Sequence, residues 1–264
     1  MTGVSKVQAV KAAMYLQMKN FLADPQWIIP SIIAPFIFTL VALLLFADVT
    51  GPILLYAVLG GGLMGMWGTT VYGSGSSITF DRWNGTMEAT LAAPVPLIWI
   101  VLGRVAWNTM IGVLNGVAIL IIGVIWFRTG ISVADPILFV LATITTFISL
   151  SSFGLLLSTV YVLSRKGGFI MNSIEIPVYI ATGTMFPVVL LPFAVLPIAF
   201  ILGPTWGIDA IRKAAIAGYV GIGTSFWFDI LVMRIATVAY FAVSFYLFVR
   251  VERLAKKNGT LEEY

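Results

Sequence analysis

Long stretches without a charged residue dominate this chain and decide what it can fold into. The stretch from Pro52 to Thr79 carries no charge, and the stretch from Val95 to Ile125 carries only Arg104. A helix of about 20 apolar residues crosses the hydrocarbon core of a bilayer, so each stretch is long enough to span it. Only 10% of all residues are charged, against about 25% in soluble domains. The sequence therefore predicts an integral membrane protein.

The residue types that many membrane enzymes use are missing from this chain. It contains no cysteine and no histidine, which excludes disulfides, thiolate metal sites and the commonest general base. It also lacks a Gly-x-x-x-x-Gly-Lys-Ser/Thr motif for binding nucleotide phosphates. We therefore expect no catalytic residue, no metal site and no cofactor here, and we expect that the chain is not an enzyme. Its net charge of +4 is too small to predict a nucleic-acid partner.

A short polar segment, Phe80 to Pro94, separates the two apolar stretches and is called the island below. Its charged residues are Asp81, Arg82 and Glu88. Because charged residues avoid the bilayer core, the island should lie in water between two spans. Asn84 or Thr86 can cap a short helix, Glu88 favours its first turn, and Pro94 ends it. Such a helix offers a surface to a soluble partner.

The chain as a whole predicts an all-α membrane protein with six transmembrane helices. We place them at Ile28–Phe46, Ile53–Ile78, Leu97–Phe127, Pro136–Leu163, Phe169–Phe186 and Phe226–Val249. Residues 1–25 should form an amphipathic helix on the membrane surface, with an alternative in which this helix packs on the protein itself. Its apolar face would consist of Val7, Val10, Met14, Met18, Phe21 and Leu22. Arg250 to Tyr264 should be a charged tail.

Small residues are concentrated in the second and third spans. Gly60, Gly61 and Gly62 predict close contact between helices, and Gly112 with Gly116 forms a Gly-x-x-x-Gly step. The run from Gly73 to Ser77 is typical of helix packing, because it lacks the lysine and the soluble strand of a phosphate loop.

The stretch from Gly167 to Ile208 cannot be one plain helix, because it contains five prolines. We expect a fifth span followed by a re-entrant helical hairpin over residues 187–212 that enters the membrane from the outer face. Pro187 and Pro192 would shape this outer gate, with Asp209 and Arg212 at its rim. These two charged residues lie one helical turn apart and could pair, or they could anchor the hairpin at the lipid headgroups.

Two sets of residues resemble the permeases of ATP-binding-cassette exporters, the ABC type-2 membrane family. The first is Gly85-Thr86-Met87-Glu88, Leu91, Ala93-Pro94 and Gly103-Arg104, which resembles the pattern around the first coupling helix. The second is Gly183-Thr184-Met185-Phe186-Pro187, Leu191-Pro192, Leu196-Pro197, Gly203-Pro204-Thr205-Trp206 and Asp209-Ala210-Ile211-Arg212. The island departs from the family by carrying Asp81 where a glutamate is usual, and Trp83 and Asn84 where charges are usual.

The resemblance implies one transmembrane domain over residues 1–264, acting as an exporter of an amphipathic or lipid-linked molecule. It implies a cytoplasmic ATP-binding subunit in two copies, carrying ATP and Mg²⁺, and a second permease chain that is expected to be identical. Coupling to the ATPase would use Asp81, Arg82, Thr86, Met87, Glu88 and Leu91. The translocation path would run between the first, second and fifth spans. Its candidate residues are Phe36, Phe38, Trp67, Tyr72, Glu175, Tyr179, Met185 and Phe186.

The distribution of lysine and arginine predicts the orientation in the plasma membrane. Eleven basic residues would face the cytoplasm: Lys6, Lys11, Lys19, Arg82, Arg104, Arg165, Lys166, Arg250, Arg253, Lys256 and Lys257. Four would face outside: Arg128, Arg212, Lys213 and Arg234. Both termini are thus expected in the cytoplasm. The alternative function is an ion-coupled secondary transporter or channel that uses Glu175 within the membrane, since a buried carboxylate is costly and commonly functional.

Overall fold

The computed structural model describes residues 5–23, 52–127, 133–163, 176–184 and 187–258, with isolated positions at 29, 33, 36, 37, 39, 40, 44 and 173. All regular structure in these ranges is helical. The α-helices are α1 Lys6–Ala23, α2 Pro52–Trp67, α3 Gly73–Trp83, α4 Met87–Ala92, α5 Leu97–Phe127, α6 Pro136–Leu163, α7 Leu196–Ile201, α8 Gly203–Ala215 and α9 Phe226–Asn258. A π-helical segment, Gly68–Tyr72, joins α2 to α3, and a 3₁₀ turn covers Val188–Leu190.

Three helices in the described part of the chain are long and apolar enough to cross a membrane. Their apolar stretches are Leu97–Ile122, Pro136–Thr159 and Phe226–Arg253. The bounds of α5 and α6 coincide with the expected third and fourth spans, because a proline precedes or opens each helix where it should begin. The first and fifth expected spans lie mostly outside the described residues, so the six-span arrangement stays a prediction.

Helix α9 is longer than the sixth expected span, because it continues into the expected charged tail as far as Asn258. Two interactions hold the additional turns. Phe248 is buried in a cluster with Ile78 and Leu97, and Val251 packs beside it. In addition, the carboxylate of Glu252 accepts a hydrogen bond from the backbone N–H of Leu97 at 3.1 Å.

The glycines of the second span bring helices into close contact, as expected. A Cβ on Gly61 would lie 1.6 Å from Oγ1 of Thr39, and a Cβ on Gly112 would lie 2.7 Å from Oγ1 of Thr70. These approaches are possible only without a side chain, which explains the small residues in both helices. The run from Gly73 to Ser77 is the start of α3, which confirms helix packing over a phosphate loop.

The N-terminal helix α1 packs along the first half of α5. Ala9 and Ala13 are its buried residues, and a Cβ on Gly103 would lie 2.4 Å from the carbonyl oxygen of Val10. The contact is therefore made by small residues and backbone. Two residues of the expected apolar face, Val7 and Leu22, are instead 63% and 58% exposed. Placement of α1 on the membrane surface stays a prediction, while packing on the protein itself is observed.

The segment after the expected fifth span contains two short helices, α7 and α8, which meet at Leu202. Almost every residue of α8 is buried, because this helix lies against both α6 and α9. The indole N–H of Trp206 donates to the carbonyl of Phe200 at 2.9 Å and ties α8 back to α7. That these two helices form a re-entrant hairpin in the membrane remains a prediction.

Candidate functional site

An ion pair lies beneath the island. Arg104 of α5 approaches a carboxylate oxygen of Asp81 to 2.7 Å, and both side chains are more than nine-tenths buried. The same guanidinium nitrogen donates to the carbonyl of Ser77 at 3.2 Å. Because a buried pair is costly to break, this contact fixes the end of α3 against α5. Asp81 therefore faces the interior of the protein and does not belong to an exposed docking surface.

The chain of the island folds back onto Asp81. Thr86 donates its backbone N–H to the Asp81 carbonyl at 2.8 Å and its hydroxyl to the Asp81 carboxylate at 3.1 Å. Thr90 donates to the other carboxylate oxygen at 3.2 Å. Gly85 makes the turn possible with a φ of 67°, a conformation that side chains disfavour. The short helix α4 is thus held firmly beneath the spans.

The two apolar island residues that were expected to contact the ATPase point into the protein. Met87 is 9% exposed and belongs to a buried cluster with Val101 and Phe248, and Leu91 packs against the same cluster. The reason is the turn at Gly85, which aims the first residue of α4 at α5 and α9. Met87 and Leu91 therefore help to orient α4, and their expected contact with the ATPase stays a prediction.

The opposite face of the island is open. Trp83 is 78% exposed, and Thr86 and Glu88 are exposed as well, whereas Arg82 is half-buried. We call this set the island face: Trp83, Asn84, Thr86, Glu88, Ala89 and Ala92. Of the residues predicted for coupling, only Thr86 and Glu88 lie fully on this face. The sequence analysis notes Trp83 only as a departure from the family pattern, although aromatic residues are enriched at protein interfaces.

A second polar cluster lies at the other end of α9. The ammonium group of Lys213 contacts carboxylate oxygens of Asp209 at 2.6 Å and Asp229 at 2.5 Å, and Thr224 at 3.1 Å. The Asp209 carboxylate also accepts the backbone N–H of Ile222 at 3.3 Å. One lysine thereby connects α8, the loop over residues 216–225 and α9.

Arg212 does not pair with Asp209, so that expectation is wrong. Its guanidinium donates to the carbonyls of Gly183 and Thr184, the latter at 2.7 Å, and lies 3.8 Å above the ring of Tyr56. Residues three and four apart can both pair on a helix, and here Lys213 takes the Asp209 carboxylate. Arg212 turns toward α2 and the end of the fifth span.

Asp209 and Arg212 are only 3% and 1% exposed, so they face the protein interior, and their place at the rim of an outer gate stays a prediction. Of the two gate prolines, Pro187 is half-buried and Pro192 is exposed. The sequence analysis missed Lys213 and Asp229 as partners. The Asp209–Lys213 spacing on one helix and the lone acid in the first turn of α9 were the available signals.

Tyr219 lies in the loop beside this cluster. Burial raises the pKa of its hydroxyl above its usual value, because the phenolate would lose its hydration. Tyr219 is therefore neutral at physiological pH. Beside it lie two basic side chains, Arg212 and Lys213, and two acidic ones, Asp209 and Asp229.

The structure describes the side chains of only three of the expected path residues, which are Phe36, Trp67 and Tyr179. Trp67 and Tyr179 are buried, with their ring centroids 6.1 Å apart, and Phe153 of α6 lies 5.6 Å from Trp67. This aromatic group fills the interior of the single chain. Phe36 is half-buried. Phe38, Glu175, Met185, Phe186 and the side chain of Tyr72 lie outside the described residues.

Among the described side chains, no three acidic residues are grouped as ligands for a metal ion. In comparisons with known proteins, the family model of the ABC-2 type transporter matches residues 8–216. No curated protein matches the chain. The matched region contains the whole island and both α7 and α8, and it ends just before the loop that carries Ile222 and Thr224.

Proposed function

The chain belongs to the ABC-2 type transporter family, and from this premise we propose that it exports an amphipathic or lipid-linked molecule. As the membrane domain of an ABC transporter it is a transport subunit, a multi-pass membrane protein and not the ATPase. Such permeases pair with a cytoplasmic ATP-binding subunit. Membership in this family favours ATP-driven transport over the alternative of an ion-coupled carrier that uses Glu175.

The complete complex is proposed to contain two permease chains of this sequence and two ATP-binding subunits. ATP and Mg²⁺ would be held by those subunits. Both termini and the island would face the cytoplasm, as the excess of basic residues on that side supports. The cargo would pass between the first, second and fifth spans, with Glu175 as the polar residue of the path and Phe36 on its wall.

The exposure of the island face is the observation that supports docking of the ATP-binding subunit at this surface. Trp83 is 78% exposed on a segment that Asp81, Arg104 and Met87 hold rigidly from behind. Tryptophan is over-represented among the residues that dominate binding at protein interfaces. Glu88 adds a charge that a basic groove would complement. The rigid support means that a push on the island face moves α3 and α5 together.

The proposal is tested by co-purification of the ATP-binding subunit with variants of this chain. Trp83→Ala should weaken the association by about tenfold or more, since truncating such anchors commonly costs about 2 kcal/mol. Glu88→Lys should weaken it as well and reduce transport-coupled ATP hydrolysis. The matched control is Trp227→Ala, because Trp227 is 62% exposed at the opposite end of α9. Equal binding by all three variants would overturn docking through the island face.

A further inference from the structure

A cleft in the middle of the described helices has no role in the proposed export. It lies between α2, α5 and α6, reaches Ile211 of α8, and has a volume of about 200 Å³. Gly62 and Gly116 are among its lining residues, and a Cβ on Gly62 would lie 3.5 Å from the carbonyl oxygen of Gly116. The helices α2 and α5 therefore approach each other closely beside the cleft.

The surface of this cleft is apolar throughout. Leu63, Met66 and Phe147 form its inner wall and are 3%, 5% and 6% exposed. Thr143 also lines it, but its hydroxyl donates to the carbonyl of Phe139 at 2.7 Å. An apolar cavity of about 150 Å³ stays dry and accepts a hydrocarbon ligand. Water and polar cargo are therefore unsuited to this site.

The mouth of the cleft lies on helices that are expected to cross the hydrocarbon core. Its rim residues Val117, Val140 and Ile144 are 47%, 54% and 54% exposed, and they belong to two of the helices that are long and apolar enough to cross a membrane. Val140 and Ile144 lie four and eight residues from the start of α6, or about 6–12 Å along the helix. A lipid chain in that leaflet covers this depth, because half of the hydrocarbon core is about 15 Å thick.

We propose that this cleft binds one acyl chain of a bilayer lipid. The headgroup would stay at the membrane surface near the start of α6, and the chain would pass Val140 and end against Met66. Ile211 contacts the same space and directly precedes Arg212, so an occupied cleft would support α8 and its polar cluster from below. The site would hold a lipid in the absence of any cargo.

The test uses the protein reconstituted in cargo-free phosphatidylcholine vesicles that contain a small fraction of a lipid with a diazirine on one acyl chain. After irradiation, mass spectrometry of peptides locates the adducts. We expect adducts on the inner wall at Leu63, Met66 and Phe147, which bulk lipid on the outer surface cannot reach. Adducts restricted to exposed positions such as Val117 and Val238 would overturn the proposal.

Filling the cleft gives a second readout. Thr143→Phe places a ring in the cleft, and Val140→Trp blocks its mouth from an exposed position that does not disturb the interior. Each should reduce labelling of the inner wall at least fivefold and leave labelling at Val238 unchanged. The matched control is Val238→Phe, on a side chain that is 69% exposed on α9. Unchanged labelling of the wall in the two filling variants would show that adducts there do not report an occupied cleft and would overturn the proposal.

Discussion

The buried ion pair of Asp81 and Arg104 joins the island to α5. Because both are buried and bonded to each other at 2.7 Å, Asp81→Asn leaves the guanidinium without its counter-ion. We expect a loss of about 3–5 kcal/mol of stability, visible as a lower temperature of thermal unfolding in detergent. The double variant Asp81→Leu with Arg104→Met should recover much of this loss, since neither charge remains buried. Glu88→Gln, at an exposed position of the same island, should leave unfolding unchanged, and an equal loss there would contradict the distinction.

Lys213 has the corresponding place in the second cluster, where it balances Asp209 and Asp229. Lys213→Met should destabilise the chain by about 3 kcal/mol or more, because two carboxylates then lie close together without their shared cation. Adding Asp229→Asn to that variant should restore part of the stability, since only one of the two carboxylates remains. A double-mutant cycle of thermal unfolding measures this coupling. Strictly additive effects would show that Lys213 does not bridge the two acids.

At the scale of helices, the end of α9 acts as part of the island's support. Glu252 accepts the first amide of α5, Leu97, at 3.1 Å, which is an N-terminal cap supplied by a distant segment. Glu252→Ala should cost about 1 kcal/mol and increase hydrogen exchange in the peptide that contains Leu97 to Val101. Arg253→Ala is the matched control, because Arg253 is exposed on the same turn. Exchange that rises equally in both variants would mean that general fraying, not the cap, is responsible.

The helices also show which features a sequence predicts and why it does not predict the contacts between distant segments. The limits of α5 and α6 were predictable because Pro96 and Pro136 mark them, and apolar residues fill each helix between. The direction in which Met87 points was not, since it depends on a turn at Gly85 and on two helices distant in sequence. The choice of Lys213 over Arg212 as partner of Asp209 depends likewise on how α8 is rotated against α6 and α9. Contacts of that kind are decided by packing, which local pattern does not contain.

For the whole molecule, α9 separates the two polar sites. Its C-terminal part packs against the island through Phe248 and caps α5 through Glu252, and its N-terminal part reaches Lys213 through Asp229. The separation of 23 positions from Asp229 to Glu252 corresponds to about 35 Å of helix, slightly more than the roughly 30 Å of a hydrocarbon core. The island and the loop over residues 216–225 should therefore lie on opposite sides of the membrane. This geometry agrees with the orientation expected from the basic residues, but it is an independent argument. The independence matters because Arg104 and Arg212 are buried and do not contact lipid headgroups.

Single cysteines test that arrangement directly, because the chain has none of its own. Glu88→Cys lies on the island face and Ala217→Cys lies in the loop after α8, and both positions are exposed. In intact cells a membrane-impermeant maleimide should label Ala217→Cys within minutes and leave Glu88→Cys unlabelled until the membrane is permeabilised. Ala142→Cys, fully buried, should resist the reagent in both conditions and controls for unfolded protein. Labelling of Glu88→Cys alone in intact cells would reverse the orientation and remove the island from the reach of a cytoplasmic ATP-binding subunit. Labelling of both would show that α9 does not cross the membrane.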